Sequence, residues 1–365
     1  VNKDFSMQYC PIASDWHGRR VMVFPLSFSS RRVFPAKAAV FRIGMPAIAA
    51  IALVGLLAHQ AAAAAADYPA KPIKLIVPYP PGGTIDPMAR LLADALGRRL
   101  GQTFIVENKP GANGNVGTTA LAKAEPDGYT LAVCASGTLA INVSLYQSMP
   151  FDPQRDLAPV ILIGSVPNVL VVHPSLPVST LAEFTAYARA HPGKLNYGST
   201  GNGSSMHLAA ELYKSLTATQ LVHVPYTSPA QATQDLLTGQ TQAMFQLVTG
   251  IASYVRAGSV RALAVAAPRR SAALPLVPTM AEAGLPGFES ASWYAVMAPD
   301  GTPRAIVDKL NAEINLLLAD AEFRGRLTAM GFDPLGGKPE QAAQYLGQET
   351  RKWAEVVHAS GAHID

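Results

Sequence analysis

Two stretches of the chain combine glycine and hydroxyl residues with a helical pattern that follows: PYPPGGTIDPMAR (78–90) and STGNGSSMHL (199–208). Glycine lets a backbone approach a ligand closely. A helix starting at such a loop presents unpaired N–H groups and about half a positive charge, which makes it a site for an anion. Neither stretch holds a Lys or Arg before Arg90 and Lys214. Backbone N–H groups, hydroxyls and bound water suit a carboxylate, whereas a phosphate ester more often draws a basic side chain. The candidate contacts are Tyr79, Gly82, Gly83, Thr84 and Asp86 in the first stretch and Ser199, Thr200, Gly201, Ser204, Ser205 and His207 in the second. Tyr226 joins them as a strand-end residue, since open α/β sheets bind ligands at strand ends. Ser136 and Thr138, just past the strand at 128–135, are also in the set.

Several of these residues have a structural reading beside the functional one. Asp86 precedes Pro87 and is placed to cap its helix, and Ser204 or Ser205 is placed to cap the next. His207 falls in a first helical turn, where it either donates to a ligand or makes a structural hydrogen bond. Tyr79 and Tyr226 either touch ligand or pack. Signatures of catalysis are weak. GNGSSMH is not G-x-S-x-G, so a hydrolase using Ser204 or Ser205 with His207 lacks its nucleophile elbow. GANGNVG (111–117) has the wrong glycine spacing for a dinucleotide fingerprint, and Asp127 comes too early for its acidic partner. Histidines are scattered and cysteines unpaired, so neither a metal nor a cofactor is expected.

The elements that must position these loops alternate strand and helix. IKLIVPY (73–79), TFIVEN (103–108) and GYTLAVCA (128–135) are strands, and MARLLADALGRRL is a helix that Gly101 closes. The long apolar run 160–174 is interrupted at Pro167. Further on, 180–193 and 206–216 are helical, and LVHVPY (221–226), AMFQLV (243–248), RALAVAA (261–267) and SWYAVMAP (292–299) are short apolar runs of strand type. The clearest helices are 302–320, with Thr302 as its cap, and 339–360. This alternation predicts an α/β protein with mostly parallel sheets.

The chain has 365 residues, enough for two domains. Of its 29 Lys and Arg and 25 Asp and Glu, the first 66 residues hold seven and two, leaving 22 and 23 in 67–365. The body is near neutral, with no electrostatic footprint for nucleic acid. The basic leader precedes an apolar run at 43–58 and Ala64-Ala65-Ala66, the layout of an export signal. SRRVF (30–34) resembles a twin-arginine signal, with an ordinary Sec signal as the alternative. Residues 1–66 are therefore expected to direct export to the periplasm. Beyond them Cys134 is the single thiol, so no internal disulfide forms in the body.

Residues 68–131, YPAKPIKLIVPYPPGGTIDPMARLLADALGRRLGQTFIVENKPGANGNVGTTALAKAEPDGYTL, resemble the substrate-binding receptors of tripartite tricarboxylate transporters, also called Bug proteins. The likeness continues through YGSTGNGSSMHLAAELYK, VPYTSPAQATQDLLTGQ, RALAVAAPRRSAALPLVPTMAEAGLPGFE and WYAVMAPDGTPRAIVDKLNAEI. It implies a type II, two-lobed periplasmic binding protein that closes on its ligand like a flytrap, without catalysis. Lobe one would combine 68–168 with 295–365, and lobe two would be 169–294. The implied ligand is a small carboxylate gripped by the loops at 79–86 and 199–205. The implied partners are the membrane subunits of a transporter, with a sensor role as the alternative, and the chain is expected to act as a monomer.

Two departures stand out. The family commonly has Met-Phe-Asp where this chain has Met244-Phe245-Gln246. Gln246, also a candidate contact, is neutral and both donates and accepts hydrogen bonds, which argues against a cationic group on the ligand's far end. PYTSPAQA replaces the family's PYKGGGPA, and Ser228 and Gln231 are placed to supply polar contacts there.

Overall fold

A computed structural model describes residues 68–364. The export leader expected over 1–66 lies outside the described residues. Among those described, no helix is long and apolar enough to cross a membrane.

Strand β1 (Ile73–Val77) is apolar because both its faces are covered. Ile73, Leu75 and Val77 enter one core with helix α1 (Ile85–Leu100), and Ile76 enters a second on the opposite face. Gly101 ends α1 in the left-handed conformation, its N–H on the Gly97 carbonyl. Strands β2 (Phe104–Asn108) and β3 (Thr130–Ala135) flank β1, both parallel to it, and α2 (Asn115–Ala122) connects them. A π-helical turn, Gly137–Ile141, and the short α3 (Asn142–Leu145) follow β3.

Strand β4 (Leu157–Val172) then runs for 16 residues, straight through Pro167, where the sequence pattern breaks. Up to Pro167 it pairs with β9 (Ala291–Pro299), and from Asn168 it pairs with β7 (Ala243–Leu247) and, to Val169 and beyond, β8 (Arg261–Val265). The proline stands where the ladder changes partners, so its missing N–H is tolerated. Beyond β4 come α4 (Leu181–Ala190), β5 (Leu195–Ser199), α5 (Ser205–Thr217), β6 (Leu221–Pro225), α6 (Pro229–Leu237), β7, α7 (Val248–Arg256) and β8. β5 is parallel to both β6 and β7.

The chain returns on β9 and finishes with α8 (Arg304–Ala319), α9 (Ala321–Ala329), β10 (Asp333–Pro334) and α10 (Pro339–Ser360). Thr302 does not cap α8: Pro303 occupies that position, and the Thr302 hydroxyl donates to the Pro299 carbonyl at 2.7 Å. The strand order is β2-β1-β3-β9-β4-β7-β5-β6, with β8 and β10 also on β4. Parallel pairing is confined to the outer strands on each side, and every pair involving β4 or β9 is antiparallel. The sheet is mixed, parallel as expected in its outer strands and antiparallel at β4 and β9, because the chain leaves on β4 and comes back beside it on β9. Helices cover both faces on either side of these two strands, giving four apolar cores.

Candidate ligand-binding site

Parallel strands end at a common edge. The loops after β1, β2 and β3 therefore emerge together, as do those after β5, β6 and β7, and each leads into a helix. Because β1 to β3 run opposite to β5 to β7, these are two edges, each of the kind where open α/β sheets bind ligands. All the candidate residues lie there: Tyr79 to Asp86 after β1, Ser136 and Thr138 after β3, Ser199 to His207 after β5, Tyr226 after β6, and Gln246 at the end of β7.

The first loop is organised by Asp86. It is not the helix cap expected from Pro87: α1 begins at Ile85, Thr84 takes the cap position without a side-chain bond, and Asp86 lies inside the first turn, 5% exposed. Its carboxylate accepts from the Gly82 N–H at 3.0 Å, from Arg90 Nε at 3.1 Å and from Asn108 Nδ2 at 2.9 Å. Burial would raise its pKa, but the hydrogen bonds from Arg90, Asn108 and Gly82 outweigh it and hold the carboxyl below its ordinary range. Asn108 also donates to the Tyr79 carbonyl at 3.1 Å. Asp86 thus folds the loop back on its helix and consumes the nearest cation. Gly82 (φ 80°), Gly83 and Thr84 remain exposed at its tip.

Half-buried Tyr79 extends across the strand ends. Its hydroxyl lies 2.5 Å from Thr138 Oγ1, and Thr138 donates to the Asn113 carbonyl at 2.9 Å. Asn113 sits in a left-handed turn between Gly111 and Asn115, and Gly114 must be glycine, since a Cβ there would lie 2.3 Å from Thr138 Oγ1. Fully buried Asn142 binds Asn113 and Asn115 at 2.8 Å each. Sequence reasoning missed this third loop. In sequence GANGNVG reads only as a defective nucleotide motif, and its asparagines are the signal of this network. Ser136 is buried beside Thr138.

In the second loop Ser204 is the cap of α5, accepting from the His207 N–H at 3.2 Å, and Ser205 is its first residue. His207 takes the structural reading. It is 5% exposed, and its Nδ1 accepts from the Gly203 N–H at 3.1 Å. No hydrogen bond joins the imidazole to the Ser204 hydroxyl. The ring stacks at 4.2 Å on His223, which the sequence reading did not select and whose Nε2 lies 2.6 Å from buried Ser199 Oγ. Burial and His207 push His223 down to about 4, and burial lowers His207 as well, so both rings are neutral at pH 7. Lys214, the first cation after the loop, is bound to Glu211 at 2.7 Å. Ser199 also accepts from the Gly201 N–H at 3.1 Å, and Thr200 Oγ1 lies 3.8 Å from Met206 Sδ.

Tyr226 and Gln246 are hydrogen-bonded to neighbours on their own side of the sheet. The Tyr226 hydroxyl donates to Asp235 at 2.7 Å, and burial with that carboxylate pushes its pKa up to about 12. Gln246 is 2% exposed, its amide nitrogen on Thr233 Oγ1 at 3.2 Å and its oxygen accepting from the Leu247 N–H at 2.9 Å. The second loop touches the first side of the sheet at Gly203, where a Cβ would lie 2.1 Å from Leu145 Cδ2. Leu145 follows directly on the segment bearing Thr138 and Asn142. Among the described residues no group of three or more His, Cys, Asp or Glu is placed to hold a metal.

Helix amino ends rich in neutral donors, set on a sheet joined by two long crossover strands, define a two-lobed periplasmic binding protein. Comparison with known proteins gives the family. The model of the tripartite tricarboxylate transporter family receptor matches residues 88–362. BugT of Bordetella pertussis is 40% identical over 319 residues, 86% of this chain and 98% of that protein. Among solved structures, R. palustris Rpa4515 with adipate is similar at TM-score 0.70 and 38% identity, covering 81% of this chain and 100% of the other. MatC of Rhodopseudomonas palustris with bound malate gives 0.65 and 35%, covering 80% and 100%. The chain belongs to the tripartite tricarboxylate transporter receptor family.

Proposed function

We propose that this protein is a periplasmic receptor that captures a small carboxylate between two lobes, 68–168 with 295–365 and 169–294, and presents it to the membrane subunits of a tripartite transporter. One observation carries the reading. Loops at the carboxyl ends of parallel strands on both sides of the crossovers lead into helix amino ends, and the nearest cations, Arg90 and Lys214, are tied to Asp86 and Glu211. What is left to meet an anion is N–H groups and hydroxyls, the donors that suit a carboxylate. Adipate in Rpa4515 and malate in MatC support the same class. Closure follows from differential binding: a ligand touching both loops favours the state that brings them together. The hinges lie in the two crossovers, near 166–172, where β4 changes partners, and near 290–296, in the first half of β9. The receptor family and the basic, apolar leader support the periplasmic location. Binding alone accounts for the site, without a cofactor or a chemical step.

The test is a thermal-shift screen of the purified protein, unfolded and refolded to strip carried-over ligand, against mono-, di- and tricarboxylates, amino acids and sugars. A ligand at 100 times its Kd adds about 2.7 kcal/mol. The expected result is a midpoint rise of several degrees confined to certain carboxylates. A rise with sugars or neutral solutes alone would refute the reading.

A further inference from the structure

Counting hydrogens along Tyr79, Thr138 and Asn113 fixes which way each bond points. Two oxygen–oxygen contacts, 2.5 Å from Tyr79 to Thr138 and 2.9 Å from Thr138 to Asn113, need two hydrogens. The Asn113 carbonyl has none to give, so the single Thr138 hydrogen goes to it. The hydrogen in the shorter contact must then come from Tyr79. Burial pushes the Tyr79 phenol above its ordinary pKa, so it keeps that hydrogen throughout the neutral range. Asn142 locks the carbonyl end of the chain: its Nδ2 donates to the Asn113 carbonyl at 3.2 Å and to Asn115 Oδ1 at 2.8 Å, and its Oδ1 accepts from Asn113 Nδ2 at 2.8 Å. The Tyr79 oxygen, to which the Ala135 backbone also hydrogen-bonds, has no hydrogen left to give and keeps a lone pair with which to accept. A carboxylate oxygen placed against it would meet repulsion, whereas a hydroxyl would find an acceptor.

We propose that Tyr79 is a specificity-determining acceptor that reads a neutral donor on the ligand and so favours hydroxy-carboxylates over the same acids without the hydroxyl, with Asn113 and Asn142 as the positioning residues that set this polarity. The inference rests on the carboxylate reading above and narrows it. Adipate has no hydroxyl and malate has one, so the ligands of the similar structures leave the choice open.

The experiment is calorimetric titration of the stripped protein with two matched pairs, succinate against malate and glutarate against 2-hydroxyglutarate. The hydroxylated member of at least one pair should bind roughly three- to tenfold tighter, the size of one hydrogen bond. Tyr79→Phe should bring that ratio to about one. Thr138→Val removes the acceptor for the Tyr79 hydrogen and frees it to donate, so the ratio should fall to one or invert, while Thr138→Ser should keep it. A purely structural role would weaken both members of a pair alike and leave the ratio unchanged. Equal affinities within both pairs, or a ratio untouched by Tyr79→Phe, would overturn the inference while carboxylate binding stood. If no carboxylate binds at all, the proposed function itself fails.

Discussion

At the residue scale, the charged and imidazole side chains near the candidate site brace its loops. Asp86 is the strongest case. Asp86→Asn removes the charge that holds Gly82, Arg90 and Asn108 together, and a lost charged hydrogen-bond network of this kind costs about 2 kcal/mol. Urea unfolding should show that loss, and titration should show weaker binding from a slackened loop. The folded pKa of Asp86 lies below its ordinary value, so its contribution is present at neutral pH and is lost as pH falls through the folded pKa. The stacked histidines act in the same direction at higher pH. Their folded pKa values are depressed, so below about 6.5 the unfolded chain binds protons that the folded chain does not. Stability should fall as pH drops from about 6.5 towards the His223 value of about 4, by up to roughly 1.4 kcal/mol per pH unit from that ring, with His207 adding in the same direction. Urea midpoints measured across that range should show the slope, and His223→Asn should reduce it.

At the element scale, the helix amino ends are aimed by glycines whose neighbours come from distant segments. Gly203 (φ 73°) meets Leu145, and Gly114 (φ 91°) meets Thr138 and Tyr79. Gly203→Ala combines a left-handed alanine with a clash against Leu145, together costing about 2–4 kcal/mol. Adding Leu145→Ala should recover part of that stability, and a double-mutant cycle by thermal melting measures the coupling. Helices were the most legible elements. The 3.6-residue spacing of α1 and its Gly101 stop, and the Pro339 start of α10, mark them without any partner. Thr302 misled because its hydroxyl bonds backward to Pro299. Pro167 misled because a proline at a change of partners does not end a strand.

At the scale of the whole molecule, the crossover region holds a buried charge. Glu349 Oε2 accepts the indole N–H groups of Trp293 on β9 and Trp353 on α10, both at 2.9 Å, and Lys352 pairs with its other oxygen while lying 3.4 Å from the Glu289 carbonyl. Two of the chain's three tryptophans are therefore at the crossover, and Trp16 is in the leader segment. Saturating ligand should shift tryptophan emission if closure moves this region. Glu349→Leu strands two indole donors and Lys352, and should cost about 3–5 kcal/mol in chemical denaturation.

The sequence by itself determined the alternation of strand and helix, the two glycine and hydroxyl loops, the lack of Lys and Arg in those loops and the family likeness, because each is written in contiguous residues. Tertiary structure alone decided what the individual side chains do. Asp86 became a loop brace through Asn108, Tyr79 an acceptor through Thr138 and Asn113, Ser199 a partner of His223, and the sheet mixed through the return of β9 beside β4. These pairings join residues 22 to 142 positions apart, and a hydrogen bond's direction is fixed only once both of its partners are in place.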